Sequence, residues 1–266
     1  MSERTSSKVF ILIADPDISE ESLTRKVVAT SIETLKSGGY RITQTDLAKD
    51  GWLDVISPRD FVRISDPSKI DFQIEQMTSP LIQKIVDEQD KLLNCDLFMV
   101  FAPLSWCGPP SHFYSWWQRV VTYGKFFGPG KIYNKGACAG KRALMVMTST
   151  MRQDQFGRDT HYGTVEEILY PITHGMLYLV GFRVYRTQTI FIPNPAQFYD
   201  ISLKWQTALH DIEERTSIMF NSPNDYTNWQ LSTSQNERRN DFELIQRAGD
   251  MSIQEATLNL KSSLET

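Results

Sequence analysis

The 266-residue chain has little of what would place it in a specialised class. Three cysteines, Cys95, Cys107 and Cys138, are too few and too scattered for a disulfide framework, and four histidines without ligand spacing give no zinc site, so no metal is expected. No apolar run approaches the ~18 residues that a membrane span needs. The polar start MSERTSSK leads into an apolar run without the pattern of a secretory signal. A reduced, cytoplasmic protein that engages no membrane is the expectation. Positive charge is not in excess either. The net charge is −4, which argues against a nucleic-acid partner. Internal repeats are also missing. What remains, 41% hydrophobic and 23% charged residues, is ordinary globular composition.

Against that background five short runs rich in β-forming residues stand out, over residues 9–14 (VFILIA), 40–46, 96–102 (DLFMVFA), 143–148 and 182–192. The first, third and fourth are continuous rather than alternating, as in strands buried on both faces. Helical patterns lie between them. One covers 19–36, with Ser19 as its cap and Glu20-Glu21 in its first turn, and ends at Ser37-Gly38-Gly39. Another covers 79–94, opening on Ser79-Pro80 and carrying Leu81, Ile82, Ile85, Val86, Leu92 and Leu93 at helical spacing. Further ones cover 110–121, 164–179 and 195–220. Alternating β and α elements imply a doubly wound parallel α/β sheet, and five strands fit the flavodoxin-like order 2-1-3-4-5. Residues 1–220 then form one domain, interrupted by an Asp-, Pro- and Ser-rich stretch over 47–78. Residues 221–266 read as a polar C-terminal tail, not a second domain.

In an open α/β sheet, ligands sit beyond the carboxyl ends of the strands. Three loops qualify. The first, DPDISEES, precedes a helix N-terminus that favours phosphate, with Ser19 and Ser22 as added donors. Its Asp15, Asp17, Glu20 and Glu21 oppose a diphosphate, and Ser19 serves equally as a plain helix cap. In the second, Pro103 to Pro110, prolines and a glycine stiffen a loop bearing Leu104 and Trp106. That suits a flavin ring, which needs face contacts and amides at its polar edge; the competing reading is a core indole packed on Trp116 and Trp117. The third, 149–162, is hydroxyl-rich and holds His161 and Tyr162, either proton donors or merely exposed side chains.

At these loops the chain resembles the NAD(P)H:quinone oxidoreductase family, the flavodoxin-like FAD enzymes also called DT-diaphorases. The resemblance runs over about residues 8–192. It is most specific over 101–120, which follows the pattern Pro-Leu-x-Trp-aromatic-Gly-x-Pro and then Trp-x-x-Arg-Val, with Cys107 at the aromatic position. Ile132-Tyr133-Asn134-Lys135-Gly136, and Pro171-Ile172-x-x-Gly175 with Gly181-Phe182, agree in register. The resemblance implies that Pro103, Leu104, Ser105, Trp106 and Cys107 form one wall for the flavin ring. It puts Thr148, Ser149, Thr150 and Met151 on the other and Gln73 beside the cofactor. It further implies a homodimer with shared active sites, and a nicotinamide, NADH or NADPH, as donor. The chain departs from the family at several places. Asp15 and Glu20-Glu21-Ser22 replace a His and a Ser/Thr-Phe-Asn run at the diphosphate, and Thr150-Met151 replaces two glycines. The family's relay Tyr and His fall on Phe156 and Tyr162, with His161 adjacent. Two tyrosines over the substrate become Phe127 and Pro129.

The leading expectation is an FAD-dependent NAD(P)H oxidoreductase that reduces a small-molecule acceptor, a quinone or an electron-poor enone or alkene; a tailoring step in specialised metabolism fits as well. Tyr162 or His161 is the proton donor, and Phe127 and Phe156 line the substrate. The alternative is a catalytically silent flavodoxin-like protein that binds partners or a regulatory ligand. An electron-transfer flavodoxin holding FMN is disfavoured, since the first loop is not the hydroxyl-rich phosphate loop of that class.

Overall fold

The computed structural model describes residues 7–191 apart from 65, 67 and 158. The helix expected over 195–220, residue 192 of the last strand and the tail over 221–266 lie outside the described residues. Five strands follow the order β2-β1-β3-β4-β5, all parallel, and a sixth, β6, also pairs with β4. They are β1 Lys8–Ile13, β2 Arg41–Asp46, β3 Leu97–Pro103, β4 Arg142–Ser149, β5 Arg183–Val184 and β6 Gln188–Phe191. The expected order is the one found. The run 182–192 is two strands and not one, because the chain leaves β4 over residues 185–187 and rejoins it further along.

β1, β3 and β4 are buried almost end to end, which explains their continuous apolar sequences. Side chains alternate between faces. Phe10, Leu12, Phe98, Val100, Met145 and Met147 face a core completed by α3 (Gln83–Asn94) and α4 (Ser111–Val120). There Phe98 stacks on Phe10 at 5.4 Å, on Phe182 at 5.7 Å and on Trp116 at 6.0 Å. Helix α1 (Leu23–Ser37) buries Val27, Val28 and Leu35 and covers the other face.

Several helix boundaries differ from expectation. α1 starts four residues late because Ser22, not Ser19, is its cap: the Ser22 hydroxyl accepts from the Arg25 amide, while Ser19 stays exposed. Ser79-Pro80 does not open α3, which starts at Gln83 after the extended Ile82. Instead Ser79 ends a short helix, α2 (Phe72–Thr78), capped by Asp71. The expected helix over 110–121 starts at Ser111, after an extended Pro110. The pattern over 164–179 is a broken run: α5 (Val165–Ile168), α6 (Tyr170–Ile172) and a wider turn over Thr173–Tyr178. Pro171 lacks the amide that a continuous helix would require there.

The stretch over 47–78 is anchored to α4. Arg119 donates to both oxygens of the buried Asp60, at 2.7 to 3.1 Å. Its guanidinium also lies 4.8 Å from the ring of buried Trp52, with the Lys84 ammonium 4.6 Å from that same ring. Gly136 and Gly181 follow from close backbone passage: a Cβ on Gly136 would lie 2.2 Å from the Val180 carbonyl oxygen, and Gly181 has φ +107°. That crossing braces the last strands against the β4 side.

Candidate active site

The three loops expected to matter end neighbouring strands and meet at one sheet edge. Ile13 pairs with Phe101, and Pro103 with Thr148. Two bonds stitch the loops together: the Leu104 amide donates to the Thr148 carbonyl at 2.7 Å, and the Thr24 and Thr148 hydroxyls lie 2.7 Å apart.

After β3 the chain makes a two-residue reversal. The Ser105 amide donates to the Gly108 carbonyl at 2.7 Å, and the Gly108 amide returns the bond at 3.0 Å. Trp106 and Cys107 occupy the turn at φ +50° and +60°. Such a turn needs two left-handed residues, which glycine or asparagine adopts freely and a tryptophan does not. Strain of this kind persists where the surroundings enforce it, and it clusters at ligand sites. The Trp106 side chain is wholly exposed, so the core reading of that indole is excluded. The indoles that pack are Trp116, fully buried with its Nε1 donating to Glu88 at 3.1 Å, and its neighbour Trp117. Among the described residues, the amides of Trp106 and Cys107 make no hydrogen bond. Pro103 and Leu104 are half-buried behind the turn.

At the end of β4, Thr148 and Ser149 are buried; beyond it Thr150 is exposed and Met151 is half-buried, its amide donating to Ser149 Oγ at 3.1 Å. The loop then builds a cleft of ≈ 570 Å³ lined by Arg152, Asp154, Gln155, Asp159, Thr160, His161 and Tyr162. Thus His161 and Tyr162 share a cavity wall. Phe156 stacks on Tyr162 at 5.4 Å and 24°, and on Phe191 at 5.1 Å. The Tyr162 ring is therefore held while 41% of the residue stays open to solvent. Arg152 pairs with Asp154 within the same cleft.

The first loop is closed only at its Asp15 end; Ser19 and Glu20 are exposed and line a cleft of ≈ 550 Å³ with Arg25, Lys26, Asp46 and Lys49. Asp15 is 2% exposed; its carboxylate accepts from the Asp17 amide at 3.0 Å and from the Ser22 hydroxyl. Arg25, the nearest guanidinium, pairs with Asp46 and donates to the carbonyls of Asp15 and Asp17. Burial opposes ionisation of Asp46, but the Arg25 bonds and the Lys49 amide outweigh it and hold that carboxyl below its usual range. His112, in the first turn of α4, was not among the expected site residues. It is 6% exposed, its Nε2 has no hydrogen-bond partner, and the charges of Asp15 and Asp46 both act on its ring. Burial nonetheless pushes its imidazole below the usual value. The only sequence signal was a histidine on the apolar side of a helix that follows a ligand loop.

Two expected residues stand apart. Gln73 is exposed in the first turn of α2, a helix whose Gln76 side chain bonds to Gln118 near the end of α4 and to Tyr123 just beyond it. Phe127 packs edge-on against Tyr123 at 5.6 Å and joins the margin of the core. Burial raises the Cys95 thiol to about 12 and that of Cys138 further, which removes both as nucleophiles.

A family model described as a flavodoxin-like fold matches residues 7–206. The chain is 27% identical over 230 residues to a ribosyldihydronicotinamide dehydrogenase-like protein, traD, of Penicillium crustosum, covering 82% of this chain and 85% of that one. It is 27% identical over 198 residues to NAD(P)H dehydrogenase [quinone] 1 of Cavia porcellus, covering 71% and 72%. Among solved structures, a putative quinone reductase from Klebsiella pneumoniae superposes with TM-score 0.68 at 25% identity, covering 80% of this chain and 85% of that one. The resemblance drawn from residues 101–120 is thus to proteins bearing the quinone reductase name.

Proposed function

We propose that this chain, which belongs to the flavodoxin-like fold family, is an NAD(P)H-dependent flavin oxidoreductase of the quinone reductase kind. Its acceptor is a small molecule, a quinone or an electron-poor enone or alkene. The observation that carries the reading is Trp106, an exposed indole held on a strained turn beside two unused amides at the carboxyl edge of a parallel sheet. A packing residue needs no such turn, and a platform does. Bound flavin, FAD by the resemblance, supplies the hydride relay between a dihydronicotinamide and the acceptor.

The chain's own share is positioning and one proton. Leu104 and Trp106 offer a flat apolar surface, and the Trp106 and Cys107 amides would donate to the polar edge of a flavin ring held there. Hydride addition to a carbonyl or conjugated alkene leaves an oxyanion or enolate. The Tyr162 hydroxyl, or His161 beside it in the cleft, donates to that oxygen. Phe156 has no proton to give; it holds the Tyr162 ring in place. With Thr150 and Met151 at the other wall, the pocket favours an acceptor other than a simple quinone, as a tailoring reductase would take. A homodimer with shared sites suits the open indole, and the cytoplasm suits the unpaired thiols.

Purified protein should be yellow, show flavin absorbance that a dihydronicotinamide bleaches, and release FAD on denaturation. Colourless protein that takes up no flavin at high micromolar concentration overturns the reading. It would favour a silent binding or regulatory protein, the alternative that the buried Asp15 supports.

A further inference from the structure

We infer that the first loop carries its own anion, the Asp15 carboxylate, and takes no phosphate, so that the 5′-phosphate of a flavin adds no affinity. The inference rests on the flavin reading and deepens it: the ring end of the site fits a flavin, and the phosphate end does not. A phosphate at this edge of the sheet would sit at the N-terminus of α1, where unpaired amides and hydroxyls point outward. The Ser22 and Thr24 hydroxyls and the Arg25 amide are already engaged. Asp15 takes the Ser22 hydroxyl and the Asp17 amide, Ser22 Oγ accepts from the Arg25 amide at 3.3 Å, and Thr24 bonds to Thr148. The two cations in the first turns of α1 are paired as well, Arg25 with Asp46 and Lys26 with Glu21 at 2.7 Å. His112 is nine-tenths buried, its Nε2 has no hydrogen-bond partner among the described residues, and the charge of Asp15 acts on its ring. An entering phosphate would meet the buried Asp15 carboxylate, with the charges of Arg25 and Lys26 already paired.

The test separates phosphate from ring. The full-length chain is titrated with riboflavin and with FMN, which differ by the phosphate alone, and flavin fluorescence is read. The two dissociation constants should agree within about threefold, and Asp15→Asn should tighten FMN by about tenfold or more while leaving riboflavin unchanged. His112→Phe added to Asp15→Asn should remove that gain. FMN binding the unaltered chain more than about tenfold tighter than riboflavin overturns the inference, because His112 would then be carrying the phosphate in spite of Asp15. A second arm does not need flavin. Inorganic pyrophosphate should raise the melting temperature of Asp15→Asn and not that of the unaltered chain, and protection of the unaltered chain overturns the inference. If neither riboflavin nor FMN binds, the flavin reading fails and the pyrophosphate arm alone decides this one. If Asp15→Asn does not fold, the comparisons on the unaltered chain still decide.

Discussion

The loops after β1 and β3 end neighbouring parallel strands, yet they treat their functional groups in opposite ways. After β1, Asp15 and Ser22 are buried and bonded to one another, and Arg25 and Lys26 are paired. After β3, the largest side chain of the chain's repertoire projects into solvent from a left-handed turn whose two amides make no hydrogen bond among the described residues. The β4 loop sides with the second, since its cleft leaves His161 and Tyr162 accessible. On one side the buried carboxylate and the cations of α1 are bonded internally, and on the other the turn and the cleft stay open to solvent. A polar loop near a helix N-terminus is therefore not evidence of an open anion site. What matters is whether its donors have already been taken.

The largest expected effect separates the two kinds of tryptophan. Trp116→Ala removes a fully buried ring from the stack with Phe10 and Phe98, and orphans a bond to Glu88. It should cost roughly 3–5 kcal/mol of stability in urea unfolding. Trp106→Ala should change stability by less than ~0.5 kcal/mol, as an exposed substitution does, while weakening flavin binding severely. If Trp106→Ala unfolds readily and still binds flavin, the open side of the comparison is structural after all.

Next in size is the proton. Tyr162→Phe keeps the ring that stacks on Phe156 and removes only the hydroxyl. Reoxidation of reduced protein by acceptor should slow by roughly 10²-fold, the scale of general acid catalysis. Reduction by dihydronicotinamide, which needs no such proton, should change little. Stopped-flow records of the two half-reactions decide the matter. If both are unchanged in Tyr162→Phe and in His161→Ala, solvent supplies the proton and the cleft has another role.

The fold was legible because β1, β3 and β4 are buried on both faces and their sequences are continuous apolar runs. Other elements gave weaker signals. Helix α2 leaves Ile74 and Met77 half exposed, so its apolar period is poor, although Asp71 was a readable cap. The run over 182–192 has uniform β propensity, and only tertiary pairing with β4 splits it. At the site, local sequence could nominate Trp106 but could not show that it stands at φ +50°, since no glycine marks the turn. Asp15 read as one of four similar acids. Its burial depends on Ser22, seven residues away, and on the packing of α4, contacts that no local pattern encodes.

The smallest effect tests whether the closed side is a neutral histidine beside a charged aspartate or an ion pair. Burial pushes the His112 imidazole below its ordinary value of about 6.5, against the pull of Asp15 and then Asp46. The unfolded chain then binds its proton more readily than the folded one. Stability should be flat above about pH 6.5, fall as pH drops through that value, and level off below the folded value. His174, also lowered by burial, contributes with the same sign, so the difference between parent and variant isolates His112. His112→Phe should flatten part of the slope of the urea midpoint between about pH 5 and 6.5. The opposite result, a variant whose midpoint falls more steeply toward acid than the parent's, would mean that the folded state favours imidazolium. Asp15 would then be neutralised from within, and the first loop would no longer differ from the open side by an uncompensated charge.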